Sequence, residues 1–163
     1  MVRVMATGVF DILHPGHLHY LSEARKLGDE LVVVVARDST ARRLKREPVV
    51  PEESRRQMVE GLKPVDRAVL GTTGDMYETV VSVKPDVIAL GFDQKWDPEV
   101  IRSECAKRGV HVKVVRLSGV PERLHSTNQI VERIMVMRGR AKAAKEMAAR
   151  ANPDASSKPV SET

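Results

Sequence analysis

Two histidines, His14 and His17, lie three positions apart within residues 8–17, which read GVFDILHPGH. This segment follows an apolar run, Val2 to Ala6, and precedes apolar residues at helical spacing, so it lies where a strand turns into a helix. Imidazole N–H groups and the first backbone N–H groups of a helix can donate hydrogen bonds to a polyphosphate. Gly16 would let the backbone come close to such a ligand. The residue types and their spacing predict a phosphate-binding turn.

A metal site is the alternative interpretation of the two histidines. Structural zinc takes four ligands, commonly cysteine and histidine at short, regular spacings. The chain has one cysteine, Cys105, which can form neither an internal disulfide nor half of a cysteine-based zinc site. Asp11 is the acidic residue nearest to the histidines. We therefore expect phosphate rather than zinc at this turn.

Apolar runs that fit buried strands alternate with segments that fit helices along most of the chain. Five strands are predicted, over Val2–Ala6, Leu31–Ala36, Arg67–Gly71, Asp86–Gly91 and His111–Leu117. Helices are predicted over Gly16–Leu27, Pro51–Leu62, Met76–Val83 and Asp97–Lys107, and from an N-cap at Ser126 toward Arg150. This pattern predicts an α/β fold, a doubly wound parallel sheet of about five strands with a C-terminal helix.

The length of the chain, 163 residues, is that of one domain. We expect a folded domain over residues 1–150 and a disordered tail over residues 151–163, where proline, serine and charged residues dominate. No apolar run suggests a signal peptide or reaches the ~20 residues of a membrane span. We therefore expect a cytoplasmic protein that has no membrane partner.

The charge balance is basic, with 27 Lys and Arg against 22 Asp and Glu, and much of the excess lies between Arg133 and Arg150. This balance allows either a nucleic acid or a phosphorylated small molecule as the ligand. Aromatic residues make up only 3% of the chain, which disfavours stacking on single-stranded nucleic acid. We expect no nucleic-acid partner, and a small phosphorylated ligand at the carboxyl ends of the strands.

The histidine turn as a whole resembles the signature of the cytidylyltransferase-like nucleotidyltransferases. These enzymes transfer a nucleoside monophosphate from a nucleoside triphosphate to a phosphate and release pyrophosphate. The similarity continues at residues 53–56 (ESRR), 63–66 (KPVD), 91–94 (GFDQ) and 125–127 (HST). Within this superfamily the chain is most similar to the archaeal FAD synthases, notably at residues 11–17, 27–30 and 35–38. The resemblance implies a Rossmann-like nucleotidyltransferase fold and transfer of AMP from ATP to FMN, which gives FAD and pyrophosphate.

The resemblance also implies roles for individual residues. His14, His17 and Lys45 would be catalytic, the histidines by contacting the triphosphate and Lys45 by approaching it from a mobile basic loop after residues 42–44 (RRL). Asp93 would bind the ribose or the base, and Val120 would contact the adenine through its backbone. The other nucleotide-binding residues that the resemblance implies are Val9, Phe10, Pro15, Gly16, Arg55, Ser126 and Thr127.

One departure from the family pattern lies near the last motif. The related cytidylyltransferases carry an arginine five residues before the serine of this motif, whereas Arg123 lies three residues before Ser126. Whether Arg123 binds phosphate is therefore an open question.

The resemblance implies further ligands and partners. A divalent ion, Mg²⁺ first, would arrive with the triphosphate, with Asp11 as the nearest carboxylate, and the chain would form a homodimer. Aromatic residues near the strand ends that could flank the isoalloxazine ring of FMN are Phe10, Tyr77, Phe92 and Trp96. Two other functions stay open, a CTP-dependent cytidylyltransferase acting on glycerol 3-phosphate or a similar alcohol phosphate, and a nucleotide-binding module without catalysis.

Overall fold

Five strands form one parallel sheet in the computed structural model, which describes residues 1–44, 46–119 and 126–151. The strands are β1 (Arg3–Gly8), β2 (Glu30–Val35), β3 (Arg67–Leu70), β4 (Val87–Leu90) and β5 (Lys113–Arg116). Their order is β3-β2-β1-β4-β5, and every neighbouring pair is parallel. The chain thus winds from β1 toward one edge, returns, and winds toward the other edge. The predicted doubly wound sheet is confirmed.

Helices connect the strands. They are α1 (Pro15–Arg25), α2 (Asp38–Leu44), α3 (Glu52–Glu60), α4 (Met76–Val83), α5 (Pro98–Lys107) and α6 (Thr127–Ala151). The bounds of α4 are those predicted, and α5 begins after Asp97, whose side chain accepts a hydrogen bond from the Glu99 N–H at 2.9 Å. A carboxylate there satisfies one of the free N–H groups of the first turn.

Helix α2 corrects the prediction of a basic loop after β2. Asp38 lies in its first turn and Arg42 and Arg43 in its last, which is the charge distribution that the helix dipole favours. Ala41 is its one buried residue, so the sequence carries no apolar periodicity that would have indicated a helix. Lys45, the predicted catalytic residue, directly follows this helix and lies outside the described residues.

The hydrophobic core has two parts, one on each face of the sheet. Successive side chains of a strand point to opposite faces, and β2 shows this directly because Leu31, Val33 and Val35 belong to one part while Val32 and Val34 belong to the other. The first part includes residues of α1 and α3, and the second includes residues of α4 and α5. Helices covering both faces explain why β2 has no polar alternation.

Contacts divide the chain into two units. Residues Met1–Thr127 form one compact unit, which contains the sheet and α1 to α5, and α6 from Asn128 onward belongs to the second. The predicted C-terminal helix is confirmed as α6, whereas the predicted tail beyond Ala151 lies outside the described residues. Among the described helices, none combines the length and the apolar character needed to cross a membrane.

Candidate active site

The order of the strands reverses between β1 and β4, and their carboxyl ends lie side by side. The register of this pair ends at Ala6 and Ala89. The chain then leaves β1 through the histidine turn and leaves β4 through residues 91–97. In open parallel sheets, ligands bind in the crevice at this kind of switch point.

His14 is the N-cap of α1, and Pro15 occupies the first turn of the helix. The His14 Nδ1 accepts a hydrogen bond from the Gly16 N–H at 3.1 Å. Since an accepting ring nitrogen carries no proton, the proton of a neutral His14 is on Nε2, which is a donor. The rings of His14 and His17 stack with their centroids 3.7 Å apart and their planes at 27°. Two imidazoles beside a helix N-terminus form an electropositive spot suited to a phosphate.

Phe10 supports the histidine pair from inside the protein. Its φ of 52° is uncommon for a bulky residue. The buried ring meets the His17 ring edge-on, with 5.2 Å between centroids, and stacks on Tyr20 at 6.4 Å. A side chain at Gly8 would come within 2.9 Å of the Phe10 ring, so the turn requires glycine at that position. Because the ring is buried, any contact of Phe10 with a nucleotide would be made by its backbone.

Arg55 is fully buried, with none of its surface exposed. Its guanidinium donates to the carbonyl oxygens of Val9 at 2.6 Å, Ala36 at 2.8 Å and Val50 at 2.8 Å. It also forms an ion pair with Asp38, with 2.6 Å between Nη2 and Oδ1. These bonds join the histidine turn, the end of β2 and the segment before α3. They hold the guanidinium on groups of the protein, and the implied contact between Arg55 and a nucleotide stays a prediction.

The carboxylate of Asp11 is also engaged by the protein. Its Oδ1 accepts from the N–H groups of Val49 and Val50, each at 2.9 Å, and Arg46 approaches Oδ2 at 3.4 Å. The side chain is 5% exposed. In the part of the chain that the structure describes, no group of three or more His, Cys, Asp or Glu side chains could hold a metal ion.

Gln94 connects the end of β4 to the end of β1. Its Nε2 donates to the Thr7 carbonyl oxygen at 2.8 Å, and its Oε1 accepts from the Gly91 N–H at 3.0 Å. Asp93 precedes it in the same turn and is exposed. Arg116, at the end of β5, donates to the carbonyl oxygens of Gly91 at 3.1 Å and Gln94 at 2.6 Å. Sequence reasoning missed Gln94 and Arg116, although Gln94 lies within the GFDQ motif.

Tyr20 of α1 lies beneath these strand ends. Its hydroxyl donates to the Ala89 carbonyl oxygen at 2.8 Å, and the Thr7 backbone is at 3.3 Å and 3.4 Å. Burial raises the pKa of the phenol well above its usual range, against the opposing effect of the hydrogen bond with Thr7. Tyr20 is therefore a neutral hydrogen-bonding group near the site and not a base.

The structure brings one group of the implied residues together in the turn after β1, namely Val9, Phe10, His14, Pro15, Gly16 and His17. It places Asp93 at the end of the neighbouring strand, and Ser126 and Thr127 at the N-terminus of α6, both partly buried. Arg55 is fully buried and bonds to the Val9 carbonyl oxygen in this turn. Val120 and Arg123 lie outside the described residues, as Lys45 does.

Comparison with known proteins gives relatives over most of this chain. The FAD synthase of Aciduliprofundum boonei is 64% identical over 136 residues, which covers 83% of this chain and 91% of that protein. The FAD synthase of Thermoplasma volcanium is 55% identical over 139 residues, which covers 85% of this chain and 98% of that protein. The crystal structure of a lipopolysaccharide core biosynthesis protein from Thermoplasma volcanium is 60% identical, covers 74% of this chain and 98% of that one, and superposes with a TM-score of 0.72.

The family model agrees with these relatives. It is described as cytidylyltransferase-like and matches residues 5–137, which include the sheet, the histidine turn and the start of α6. The match includes all of the motifs that carried the resemblance. This chain belongs to the cytidylyltransferase-like family.

Proposed function

We propose that the chain is an FAD synthase, which transfers AMP from ATP to FMN. A phosphate oxygen of FMN attacks the α-phosphorus of ATP, a new P–O bond forms, the bond from the α-phosphorus to the bridging oxygen breaks, and pyrophosphate leaves. The observation that supports this most strongly is the 64% identity to a protein named FAD synthase, since the alignment spans 91% of that protein. Further relatives with the same name share 50–55% identity with this chain.

The histidine turn supplies the chemistry that this reaction needs. Phosphoryl transfer requires mainly positioning and electrostatic stabilisation, with no covalent nucleophile from the protein. The two imidazoles, whose ring centroids lie 3.7 Å apart, would donate hydrogen bonds to the triphosphate as negative charge moves toward the leaving pyrophosphate. The dipole of α1, whose N-terminus lies beside these rings, would add to this stabilisation.

The rest of the nucleotide would be held by the neighbouring strand ends. Asp93 is exposed directly after β4 and would accept hydrogen bonds from the ribose hydroxyls or the base. Ser126 and Thr127 would bind the β- or γ-phosphate through their hydroxyls and the N-terminus of α6. We propose that Lys45 contacts the phosphates and that Val120 contacts the adenine through its backbone.

The flavin has two candidate aromatic neighbours in the turn after β4. Phe92 is 55% exposed and Trp96 is 38% exposed, so each presents ring surface on which an isoalloxazine could stack. Phe10 is buried, and Tyr77 lies 4.6 Å below the guanidinium of Arg108 in a cation–π contact. We therefore propose Phe92 and Trp96 as the flavin-contacting aromatics.

The described residues do not form a metal site of their own, because Asp11 is engaged by Val49, Val50 and Arg46. We propose that the divalent ion enters as part of the substrate, bound to the phosphates of ATP, with Mg²⁺ as the ion to test first. We further propose a cytoplasmic homodimer that uses ATP and FMN as its small-molecule substrates. The single cysteine, Cys105, is buried and free, as expected in a reducing compartment.

The decisive experiment pairs each nucleotide with each acceptor. Purified protein with Mg²⁺ is incubated with ATP or CTP and with FMN or glycerol 3-phosphate, and FAD, CDP-glycerol and pyrophosphate are quantified. We expect FAD and pyrophosphate in equal amounts from ATP and FMN alone. CTP-dependent turnover of glycerol 3-phosphate without FAD formation would overturn the proposal, as would nucleotide binding with no turnover in any combination.

A further inference from the structure

Gln94 lies at the point where β1 and β4 stop pairing. The register of the two strands ends at Ala6 and Ala89. One residue further on, the Gln94 carboxamide takes over the connection by donating to the Thr7 carbonyl oxygen at 2.8 Å and accepting from the Gly91 N–H at 3.0 Å. A side chain thus replaces the backbone ladder at the mouth of the crevice.

We propose that Gln94 is a positioning residue, whose two hydrogen bonds set the separation of the β1 and β4 ends and so place Asp93 relative to the histidine turn. Asp93 is the preceding residue in the chain, so a displacement of Gln94 moves the Asp93 backbone. This inference rests on the proposed function, in which Asp93 binds the nucleotide.

The chemistry of the two partners explains why glutamine suits this position. The Thr7 carbonyl oxygen needs a donor and the Gly91 N–H needs an acceptor, and a carboxamide offers one of each on a single planar group. An ionised carboxylate offers acceptors only, so at this position it would repel the Thr7 carbonyl oxygen. A protonated carboxyl again has one donor and one acceptor, so it reproduces the pattern of the amide.

The turn after β4 is also anchored to β5, independently of the Gln94 side chain. Arg116 donates to the carbonyl oxygens of Gly91, Gln94 and Trp96, which fastens the turn to β5. Loss of the Gln94 side chain therefore leaves the turn folded and attached at one side. The expected consequence is a shifted Asp93 and weaker nucleotide binding, with little effect on global stability.

The test uses Gln94→Ala and Gln94→Glu, with Gln57→Glu as the matched control because Gln57 is exposed on α3. The dissociation constant of ATP is measured by direct titration, and kcat and KM by FAD formation, from about pH 8 to about pH 5, and each variant is compared with the wild type at the same pH. The titratable and charged groups around the position are Asp93 and Lys95 beside it, Tyr20, which bonds to Thr7, and Arg116, which bonds to the Gln94 carbonyl oxygen. The histidine turn adds His14 and His17, and comparing each variant with the wild type at the same pH cancels the contributions that both proteins share.

We expect Gln94→Ala to weaken ATP binding about tenfold at every pH, the scale of losing well-placed hydrogen bonds, with a smaller change in kcat. Gln94→Glu should be as weak near pH 8 and recover part of the affinity toward pH 5, because partial burial and the facing Thr7 carbonyl oxygen raise the pKa of a carboxyl group at this position above its ordinary value of about 4.3. The control should stay at the wild-type value throughout. Wild-type affinity in both Gln94 variants, or a pH-independent ratio for Gln94→Glu, would overturn the inference. Absence of FAD formation by the wild type overturns the proposed function alone, because the ATP titration still tests Gln94.

Discussion

The guanidinium of Arg55 donates a hydrogen bond to the Val9 carbonyl oxygen at 2.6 Å across 46 positions of the chain. Through this contact the most buried charged side chain of the described residues fixes the backbone of the histidine turn. The same guanidinium reaches the Asp38 carboxylate at the start of α2, the helix that Lys45 follows. One side chain thus joins the histidine turn and the start of α2, which are two segments that the proposed reaction uses.

Arg55→Met should destabilise the fold by about 3 kcal/mol, because it removes the ion-pair partner of Asp38 and the donor that three carbonyl groups share. Urea unfolding followed by circular dichroism would measure the loss. Arg102→Met is the matched control, because Arg102 is exposed and, within the described part of the chain, forms its ion pair with Glu99 on the same helix. Equal stability of the two variants would show that the Arg55 contacts contribute nothing measurable.

Two His14 variants separate its capping role from its proposed chemistry. His14→Ala removes the cap on the Gly16 N–H and should cost about 1 kcal/mol, whereas His14→Asn keeps an N-cap acceptor and most of the stability. Both should lower FAD formation by ~10²-fold, the scale of losing a positioned transition-state donor. Thermal midpoints and turnover numbers on the same preparations check this. Near-normal turnover of His14→Asn would exclude the imidazole from catalysis, and His17→Ala should lose turnover to a similar extent.

Ser126→Ala and Thr127→Ala test the N-terminus of α6. If Ser126 caps the helix and also binds phosphate, Ser126→Ala should lose about 1 kcal/mol of stability and bind ATP more weakly. Thermal midpoints with and without saturating ATP, together with a direct ATP titration, distinguish the two effects, because stabilisation by a ligand follows its affinity for the native state. An unchanged ATP dissociation constant in both variants would remove these residues from the site.

We expect the Asp75 carboxylate to make the stability of the sheet domain depend on pH in the acidic range. The Tyr77 N–H donates to the Asp75 carboxylate at 2.9 Å, and this bond, with a contribution from Arg108, holds the pKa of Asp75 below its usual value. A depressed pKa in the folded state contributes stability above the unfolded-state pKa of about 3.9, and that stability is lost as the pH falls toward the folded-state value. Asp75→Asn keeps the cap without titrating. As the pH falls from about 5 to about 2.5, the thermal midpoint of the wild type should therefore decrease relative to that of Asp75→Asn. A constant difference between the two midpoints would contradict the assignment.

Strong local signals made most elements of the sheet domain predictable from the sequence. The β2 strand carries an unbroken apolar run because both of its faces are buried. The start of α5 is indicated by Asp97 as the N-cap and Pro98 in the first turn. Helix α2 was missed because only Ala41 faces the core, and a helix with one buried residue has no periodicity to detect. Local patterns thus predicted the elements that pack on the core and missed the one that barely does.

The candidate site was predictable to the extent that its residues are contiguous. His14, Gly16 and His17 come from one turn, so their types and spacing were sufficient to indicate phosphate chemistry. Arg55 and Gln94 act on carbonyl and N–H groups from distant segments, and no residue type reveals which backbone groups it will meet. Their contributions depend on the topology of the sheet, which brings the end of β1 beside the end of β4.

That topology also bears on how the chain is made. β1 lies in the middle of the sheet and precedes the other four described strands in the chain. Its partner on one side is β2 and its partner on the other is β4, which begins at Val87. More than half of the chain must therefore emerge before the second edge of β1 can pair. An open edge on an apolar strand is a template for pairing with other chains. Translation that stalls before β4 would leave a nascent chain in need of a chaperone, whereas a chain that has passed Arg116 holds all five described strands of its sheet.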